Sequence, residues 1–232
     1  MDRLDKFTDV VIDTNEIVDK DLDEKRKKQK RIGGIHASAI GYCMRKQWYE
    51  IKINRPQPND TLRIFKVGNL LHDYVTELLK RHEDVEYVED EKPIKILVEP
   101  EGFVIHGTYD DLVHLKDGTR ILVDEKSCKN LFYIAEPKKE HVMQLMLYMR
   151  VLEVEHGQIC YISKNKFQMK NFPVKFDEKL YKEVLARAKK LHLFLDENEL
   201  PPAEAKQSKS TEWLCEYCLY ADLCHEKGLE EK

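Results

Sequence analysis

The spacing of apolar residues predicts helices in the first part of the chain. Over residues 61–81, apolar positions recur every three or four residues, which is typical of an amphipathic helix. A shorter helix is predicted over residues 38–50, with Ser38 as its N-cap. Pro56 and Pro58 separate the two helices. The apolar positions of the longer helix are Leu62, Phe65, Leu71, Val75, Leu78 and Leu79.

From residue 94 onward, the apolar pattern becomes that of strands and then alternates between strands and helices. A helix is predicted over 139–154, and another runs from its cap at Asp177 to about residue 198, before Pro201 and Pro202. This order predicts a mixed α/β domain, in which a central mixed sheet is flanked by helices. The predicted strands are 94–98, 103–107, 112–115, 120–124, 158–163 and 167–174, with turns at 100–102 and 116–118.

The chain divides into four segments. We expect a charged N-terminal segment at 1–35, a helical region at 36–90, a core of strands and helices at 91–200, and a cysteine-rich segment at 201–232. Residues 25–31 are basic at six of seven positions. Such a run is either a solvated helix end or arm, or an arm that contacts phosphates.

Composition limits the classes of protein that the chain can belong to. It has 232 residues, of which 35% are charged and 42% hydrophobic, as expected for a soluble domain with one good-sized core. The net charge is -4, so any DNA-binding surface must be a local patch. No apolar run approaches the roughly 18 residues of a membrane span, and no apolar stretch like a signal peptide follows Met1. We therefore expect a cytoplasmic protein with reduced thiols.

Four cysteines form a split set. Cys215, Cys218 and Cys224 have the spacing C-x2-C-x5-C, and Cys43 lies about 170 residues upstream. In a reducing compartment, clustered cysteines more often bind metal than form disulfides. By residue type, four thiolates suit zinc or an iron–sulfur cluster equally well. Two more cysteines stand alone and are expected to be packing residues: Cys128 and Cys160.

Acidic residues follow two predicted strands. Asp124 and Lys126 share a face of one strand, and Glu125 between them is expected to point away. Asp110 ends a neighbouring strand, so Asp110 and Asp124 can converge on Mg²⁺ or Mn²⁺. His72, on the long helix, would add a nitrogen ligand and shift the preference toward Mn²⁺.

This group of side chains suits phosphodiester hydrolysis. A carboxylate-held metal generates a nucleophilic water and stabilises charge on the phosphate. Lys126 can orient or help deprotonate that water and can offset the developing negative charge. Gln144 and Tyr148 share a helix face at i, i+4 spacing. Each residue alone has an ordinary structural explanation, and it is the combination that indicates a site.

Six motifs in order resemble those of the PD-(D/E)xK nucleases of the RecB type, and more closely those of the CRISPR-associated RecB-like exonuclease family, the fourth of the Cas proteins. The resemblance covers roughly residues 38–227. The motifs are Ser38-x4-Cys43, Gly68-Asn-Leu-Leu-His72, Gly107-Thr-Tyr-Asp110, Asp124-Glu-Lys126-Ser127, Gln144-x3-Tyr148 and Cys215-x2-Cys218-x5-Cys224.

The resemblance implies a restriction-endonuclease-like nuclease core and a role for each motif. His72, Asp110, Asp124 and the backbone carbonyl of Glu125 would bind Mn²⁺ or Mg²⁺, with Lys126 as the catalytic lysine. Two further residues would position DNA or support Lys126, namely Gln144 and Tyr148. The four cysteines that would bind a [4Fe-4S] cluster are Cys43, Cys215, Cys218 and Cys224.

The resemblance also implies a substrate and a partner. The activity would be that of a metal-dependent deoxyribonuclease acting on single-stranded DNA or overhangs during CRISPR spacer acquisition, with an integrase complex as partner. Many members of the family have Glu where this chain has Asp124, and Glu125 cannot replace it in the motif because no lysine follows two residues later. An oligomer is possible, and no membrane partner is expected.

Three other interpretations stay open at this point. One is a RecB-type repair or recombination nuclease outside CRISPR. A second is a catalytically silent module that binds DNA ends, and a third is a zinc-stapled interaction protein. The aromatic residues near the first cysteine have two readings, base stacking or core packing; they are Tyr42, Trp48 and Tyr49.

Overall fold

A six-stranded mixed sheet runs through the computed structural model, which describes residues 12–28 and 33–227. The strand order is β1-β3-β4-β5-β6, and β2 pairs with the other edge of β3. Pairing is antiparallel for β2–β3, β3–β4 and β5–β6, and parallel for β1–β3 and β4–β5. The strands are β1 (Ile35–His36), β2 (Val85–Val98), β3 (Phe103–Leu115), β4 (Arg120–Cys128), β5 (His156–Ser163) and β6 (Met169–Lys175).

Six α-helices flank this sheet in the described part of the chain. Asp177 caps α5 as predicted, because its carboxylate accepts hydrogen bonds from the backbone N–H groups of Lys179 and Leu180. The helices are α1 (Thr14–Lys28), α2 (Met44–Lys52), α3 (Asn59–Leu79), α4 (Lys139–Leu152), α5 (Glu178–Asp196) and α6 (Ala221–Lys227). Short 3₁₀ helices lie at Ala37–Ala39, Leu131–Tyr133, Glu204–Gln207 and Glu212–Cys215.

Two local predictions were wrong. The predicted strands 103–107 and 112–115 are one strand, β3, because β2 pairs with it along its whole length. The predicted start of a helix at Ser38 is also incorrect, since Ser38 lies in a 3₁₀ helix and α2 begins at Met44. The backbone N–H of Met44 donates to the Glu204 carboxylate (2.8 Å), so a residue 160 positions away satisfies the first turn of α2.

The two faces of the sheet have separate cores. The larger core contains Leu122 and Ile159 and lies against α2, α4 and α5, while the smaller one contains Val113, Val123 and Cys160 and lies under α3. Cys160 is buried, which confirms its packing role. No helix in the described residues is long and apolar enough to cross a membrane.

Candidate active site

The candidate site lies where β3 and β4 separate. The two strands pair from His114–Arg120 to Asp111–Val123, and β1 pairs with β3 only at residues 105–106. Neither β1 nor β4 pairs with residues 107–110 of β3. Asp110 fills the gap, because its Oδ2 accepts a hydrogen bond from the backbone N–H of Glu125 (2.8 Å).

The lysine and two aspartates meet at this point. Lys126 Nζ lies 2.7 Å from Asp124 Oδ1 and 3.9 Å from Asp110 Oδ2. The predicted shared face of Asp124 and Lys126 is therefore confirmed. Burial raises the pKa of Asp124 to about 6 against the opposing effect of Lys126. Burial alone would lower the pKa of Lys126, but the two carboxylates outweigh it and raise the pKa, so the amine stays charged.

Glu125 projects to the opposite face, where α3 places His72. The His72 Nε2 and Glu125 Oε2 atoms are 2.9 Å apart, and ligand atoms of His72, Asp110 and Glu125 all lie within 4.8 Å of one another. The predicted direction of the Glu125 side chain, away from the face of Asp124 and Lys126, is confirmed, but the sequence did not indicate that this second face also belongs to the candidate site. The alternation along β4 is regular, but α3 brings a histidine to the second face, so the site uses both faces.

These atoms fit a divalent cation. Although His72 Nε2 and Glu125 Oε2 are close, neither forms a hydrogen bond of good geometry, and both are buried, as is the unpartnered Asp124 Oδ2. Buried polar atoms without partners are costly unless protons or a cation satisfy them. Burial raises the pKa of Glu125 to about 8. Burial lowers the pKa of His72, but Glu125 and Asp110 outweigh it and raise the pKa to about 9. Metal binding here would therefore displace protons.

A third acid, which the sequence analysis did not single out, supports the site. Asp111 is fully buried on the α3 face, and its two carboxylate oxygens accept from the Thr76 hydroxyl at 2.9 and 3.1 Å. Burial raises the pKa of Asp111. The Asp110-Asp111 pair was visible in the sequence, but no local pattern links it to Thr76, which lies on α3.

Gln144 and Tyr148 lie beneath the site and are almost completely buried. Gln144 Nε2 donates to Tyr148 Oη at 3.4 Å, and burial raises the pKa of Tyr148. A Cβ at Gly107 would lie 2.5 Å from Tyr148 Oη, so only glycine lets the tyrosine approach β3 this closely. Both side chains therefore lie in the core, with Tyr148 packed against β3.

The four cysteines of the split set line one cavity of about 120 Å³. Arg45 on α2 lies beside it, with Nη1 4.0 Å from Cys224 Sγ. Burial and the neighbouring cysteines raise the pKa of Cys215 and Cys218. The tertiary structure thus brings Cys43 to the C-terminal cysteines.

A larger groove of about 1090 Å³ extends from α1 and α2 to Lys126. Its lining includes Phe65 and Lys66 of α3, the charged side chains of Lys25 and Arg26 of α1, and one acid, Glu50. Part of the predicted basic run, residues 29–31, lies outside the described residues, so its predicted phosphate contact stays a prediction. Of the aromatic residues near the first cysteine, Trp48 and Tyr49 are core residues, while Tyr42 is half-buried.

Together, a mixed sheet whose strands separate at Asp110, an Asp-x-Lys strand and a histidine from a flanking helix define a nuclease of the PD-(D/E)xK class. The chain matches the PD-(D/E)XK nuclease superfamily over residues 25–225. It therefore belongs to this superfamily, and the expected fold is confirmed.

Two relatives share nearly the whole chain. The CRISPR-associated exonuclease Cas4 of Saccharolobus solfataricus is 24% identical over 215 residues, which are 92% of this chain and 98% of that protein. The crystal structure of SSO0001 superposes with a TM-score of 0.65 at 20% identity, covering 92% of this chain and 96% of the other.

The fold is also similar to that of an exonuclease with a different name. The alkaline exonuclease LHK-Exo from Laribacter hongkongensis superposes with a TM-score of 0.54 at 14% identity. The similarity covers 77% of this chain and 93% of that one, and it concerns the fold alone.

Proposed function

We propose that this protein is a Mn²⁺- or Mg²⁺-dependent deoxyribonuclease that trims single-stranded DNA or overhangs as an exonuclease. The observation that carries the proposal is the convergence of His72, Asp110 and Glu125 within 4.8 Å, beside the Asp124–Lys126 pair. Hard oxygen ligands with one nitrogen suit Mn²⁺ or Mg²⁺, and a buried charged lysine next to them suits an anionic substrate.

Each residue then has a role. His72, Asp110, Asp124 and the Glu125 backbone carbonyl would hold the metal, and the Glu125 carboxylate would offer a further oxygen on the α3 face. A metal held there would provide a nucleophilic water and stabilise charge on the phosphate. Because Asp124 and Asp110 keep Lys126 protonated, its main role is to offset negative charge on the phosphate and to orient the water. Tyr148 and Gln144 hold Lys126 in position from below.

The groove supports a single-stranded substrate. Its volume of about 1090 Å³ accommodates a few nucleotides of one strand, and its basic side chains can contact the phosphates. The groove reaches Lys126, so a strand lying in it would present a phosphate to the site.

We further propose that the cysteine cavity holds a [4Fe-4S] cluster with a structural role. All four cysteines line this one cavity, and four cysteine thiolates are the ligands of a [4Fe-4S] cluster. One distant and three local cysteines also differ from the two local pairs of a zinc ribbon. A bound cluster joins the two ends of the chain and stabilises the fold.

The relative named Cas4 supports a place in CRISPR spacer acquisition. In that role the protein would act on DNA in the cytoplasm, with the integrase complex as its partner. A pull-down with the integrase would separate this role from that of a RecB-type repair nuclease.

The test is degradation of end-labelled single-stranded DNA by anaerobically purified protein with Mn²⁺, Mg²⁺ or EDTA. We expect metal-dependent cleavage, and a loss of at least about 100-fold in Lys126→Ala, since removing one charge-stabilising group typically costs 10²–10³ in rate. Lys182→Ala is the control, because Lys182 is an exposed lysine on α5. If the protein binds DNA with its cluster intact but does not cut it, the proposed activity is wrong and a DNA-end-binding module is favoured.

A further inference from the structure

Two adjacent aromatic side chains project into solvent beyond the end of β4. Phe132 and Tyr133 are 84% and 82% exposed, the highest values among the large apolar side chains that the structure describes. Their rings lie edge to face, with centroids 5.3 Å apart. Single exposed apolar residues are common, but two neighbouring rings that are both exposed form a candidate contact surface.

The turn that carries these rings is anchored on both sides. Asn130 Oδ1 accepts from the backbone N–H of Phe132 (2.9 Å) at the start of the 3₁₀ helix. Ile134, directly after the rings, is buried in the main core, and its carbonyl accepts from Lys170 Nζ at 2.7 Å. The backbone that carries the rings is therefore held in place while the rings remain in solvent, which lowers the backbone entropy lost on binding.

The aromatic pair lies beyond the C-terminal end of β4, the strand that carries Lys126. Phe132 follows Lys126 by only six positions, and β4 and β5 are parallel, so their C-terminal ends meet there. The backbone N–H of Lys164 donates to the Cys128 carbonyl (2.8 Å), and Lys164 Nζ donates to the Ile64 carbonyl of α3 (3.3 Å). The β5–β6 turn and α3 thus lie beside the same end of the sheet.

This end of the sheet is basic, although the chain as a whole is acidic. The segment 164–170 contains three lysines and no acid, and the segment 129–139 contains three lysines and one acid. Among the described residues, no carboxylate forms an ion pair with Lys129, Lys164 or Lys166. Positive charges that are not neutralised locally are available to phosphates.

We propose that Phe132 and Tyr133 stack on unpaired bases of the DNA strand next to the active site, while Lys129, Lys164 and Lys166 contact its phosphates. The inference rests on the proposed function, in which DNA is the substrate. Exposed rings among lysines fit a single strand, because its bases present free faces for stacking and its backbone presents charge. Paired bases in a duplex do not present those faces, so the two rings would favour single-stranded DNA.

The test measures binding without cleavage, with Ca²⁺ in place of Mn²⁺. Fluorescence anisotropy compares a labelled oligothymidylate with an oligomer of equal length whose nucleotides near the site are abasic. We expect the double variant Phe132→Ala/Tyr133→Ala to lose about 10- to 100-fold in affinity for the oligothymidylate and to bind the abasic oligomer like the unaltered protein. Tyr133→Phe keeps the ring and should bind normally.

A matched control lies at the opposite end of β4. Tyr87 is half exposed and stacks on His114, which pairs with the first residue of β4, so Tyr87→Ala should not change the affinity. Equal losses for both oligomers, or no loss in the double variant, would overturn the stacking role. So would failure of the unaltered protein to bind single-stranded DNA.

The test of base stacking can succeed or fail independently of the test of nuclease activity. If the base-dependent loss is found but the unaltered protein does not cut DNA with Mn²⁺, the stacking surface stands and the nuclease proposal fails. If both hold, the double variant should show a raised KM with little change in kcat, because the two rings bind the strand and do not touch the reacting phosphate.

Discussion

Arg187 connects the segments around the cysteine cavity with the rest of the fold, so its removal should weaken both the fold and the cavity. Its Nε donates to the Ile40 carbonyl and its Nη2 to the Tyr42 carbonyl, both at 2.6 Å. Its Nη1 donates to Glu204 Oε1 at 2.7 Å. Glu204 in turn accepts from Met44 at the start of α2. One guanidinium on α5 therefore holds the loop that contains Cys43 against the segment that leads to the other cysteines.

The magnitude follows from the number and exposure of these bonds. A hydrogen bond to a charged group is worth about 1.5–3 kcal/mol, and Arg187→Ala breaks several of them. The side chains of Arg187 and Glu204 are 23% and 30% exposed, so water replaces part of the loss. We expect Arg187→Ala to lower the free energy of unfolding by about 2–4 kcal/mol. Arg187→Lys keeps the charge but cannot reach all three acceptors, so we expect a loss of about 1–3 kcal/mol.

The assay is urea unfolding followed by circular dichroism, with iron content measured on the same anaerobic preparations. Arg150→Ala is the matched control, because Arg150 is 54% exposed and forms only a long ion pair with Glu178 (3.7 Å) and a contact with the face of the Tyr181 ring (5.6 Å to the centroid). Such a pair contributes about 0–1 kcal/mol. We also expect Arg187→Ala to bind less iron, since the Cys43 loop loses its anchor.

One result would refute this reasoning. If Arg187→Ala unfolds at the same urea concentration as Arg150→Ala and retains full iron, the guanidinium does not organise the Cys43 loop. A double-mutant cycle with Glu204→Gln locates the interaction, because removing two coupled groups should destabilise less than the sum of the two single changes.

Three further predictions follow. Cys218→Ala should give insoluble or colourless protein, and a soluble variant with full iron by metal analysis would contradict the cluster assignment. Gly107→Ala should destabilise by about 1–3 kcal/mol in urea unfolding, since its Cβ would meet Tyr148, whereas Gly33→Ala meets no atom within 4 Å and should be neutral. Burial raises the pKa of Glu204, but Arg187 outweighs it and lowers the pKa. The stability from this pair is therefore present above the pKa that the carboxyl has in the unfolded chain, and it is lost as the pH falls through the pKa in the folded protein. In Glu204→Gln, the free energy of unfolding should therefore fall less steeply with decreasing pH below about pH 4.5.

Local sequence was enough where neighbouring residues decide the structure. The amphipathic period predicted the long helix, which the structure has as α3, and the Asp177 cap depends only on the next three residues. The shared face of Asp124 and Lys126 follows from strand alternation alone. The order of six motifs was enough to indicate the nuclease family, which the superfamily match confirms.

Local sequence failed where a distant segment supplies the partner. The start of α2 depends on the Glu204 carboxylate, and the continuity of β3 depends on its pairing with β2. No short-range pattern contains either contact, so the predictions of a cap at Ser38 and of two strands in place of β3 are wrong.

By itself, the sequence determined the class of fold, the helix that carries His72, and the residue types available for metal and cluster binding. Only the tertiary structure decided which of these residues meet. The separation of β3 from β4 opens room for Asp110, and α3 crosses the second face of the sheet and brings His72 to Glu125. The reason is physical: alternation assigns a side chain to a face, but the packing of helices on that face decides what the side chain contacts.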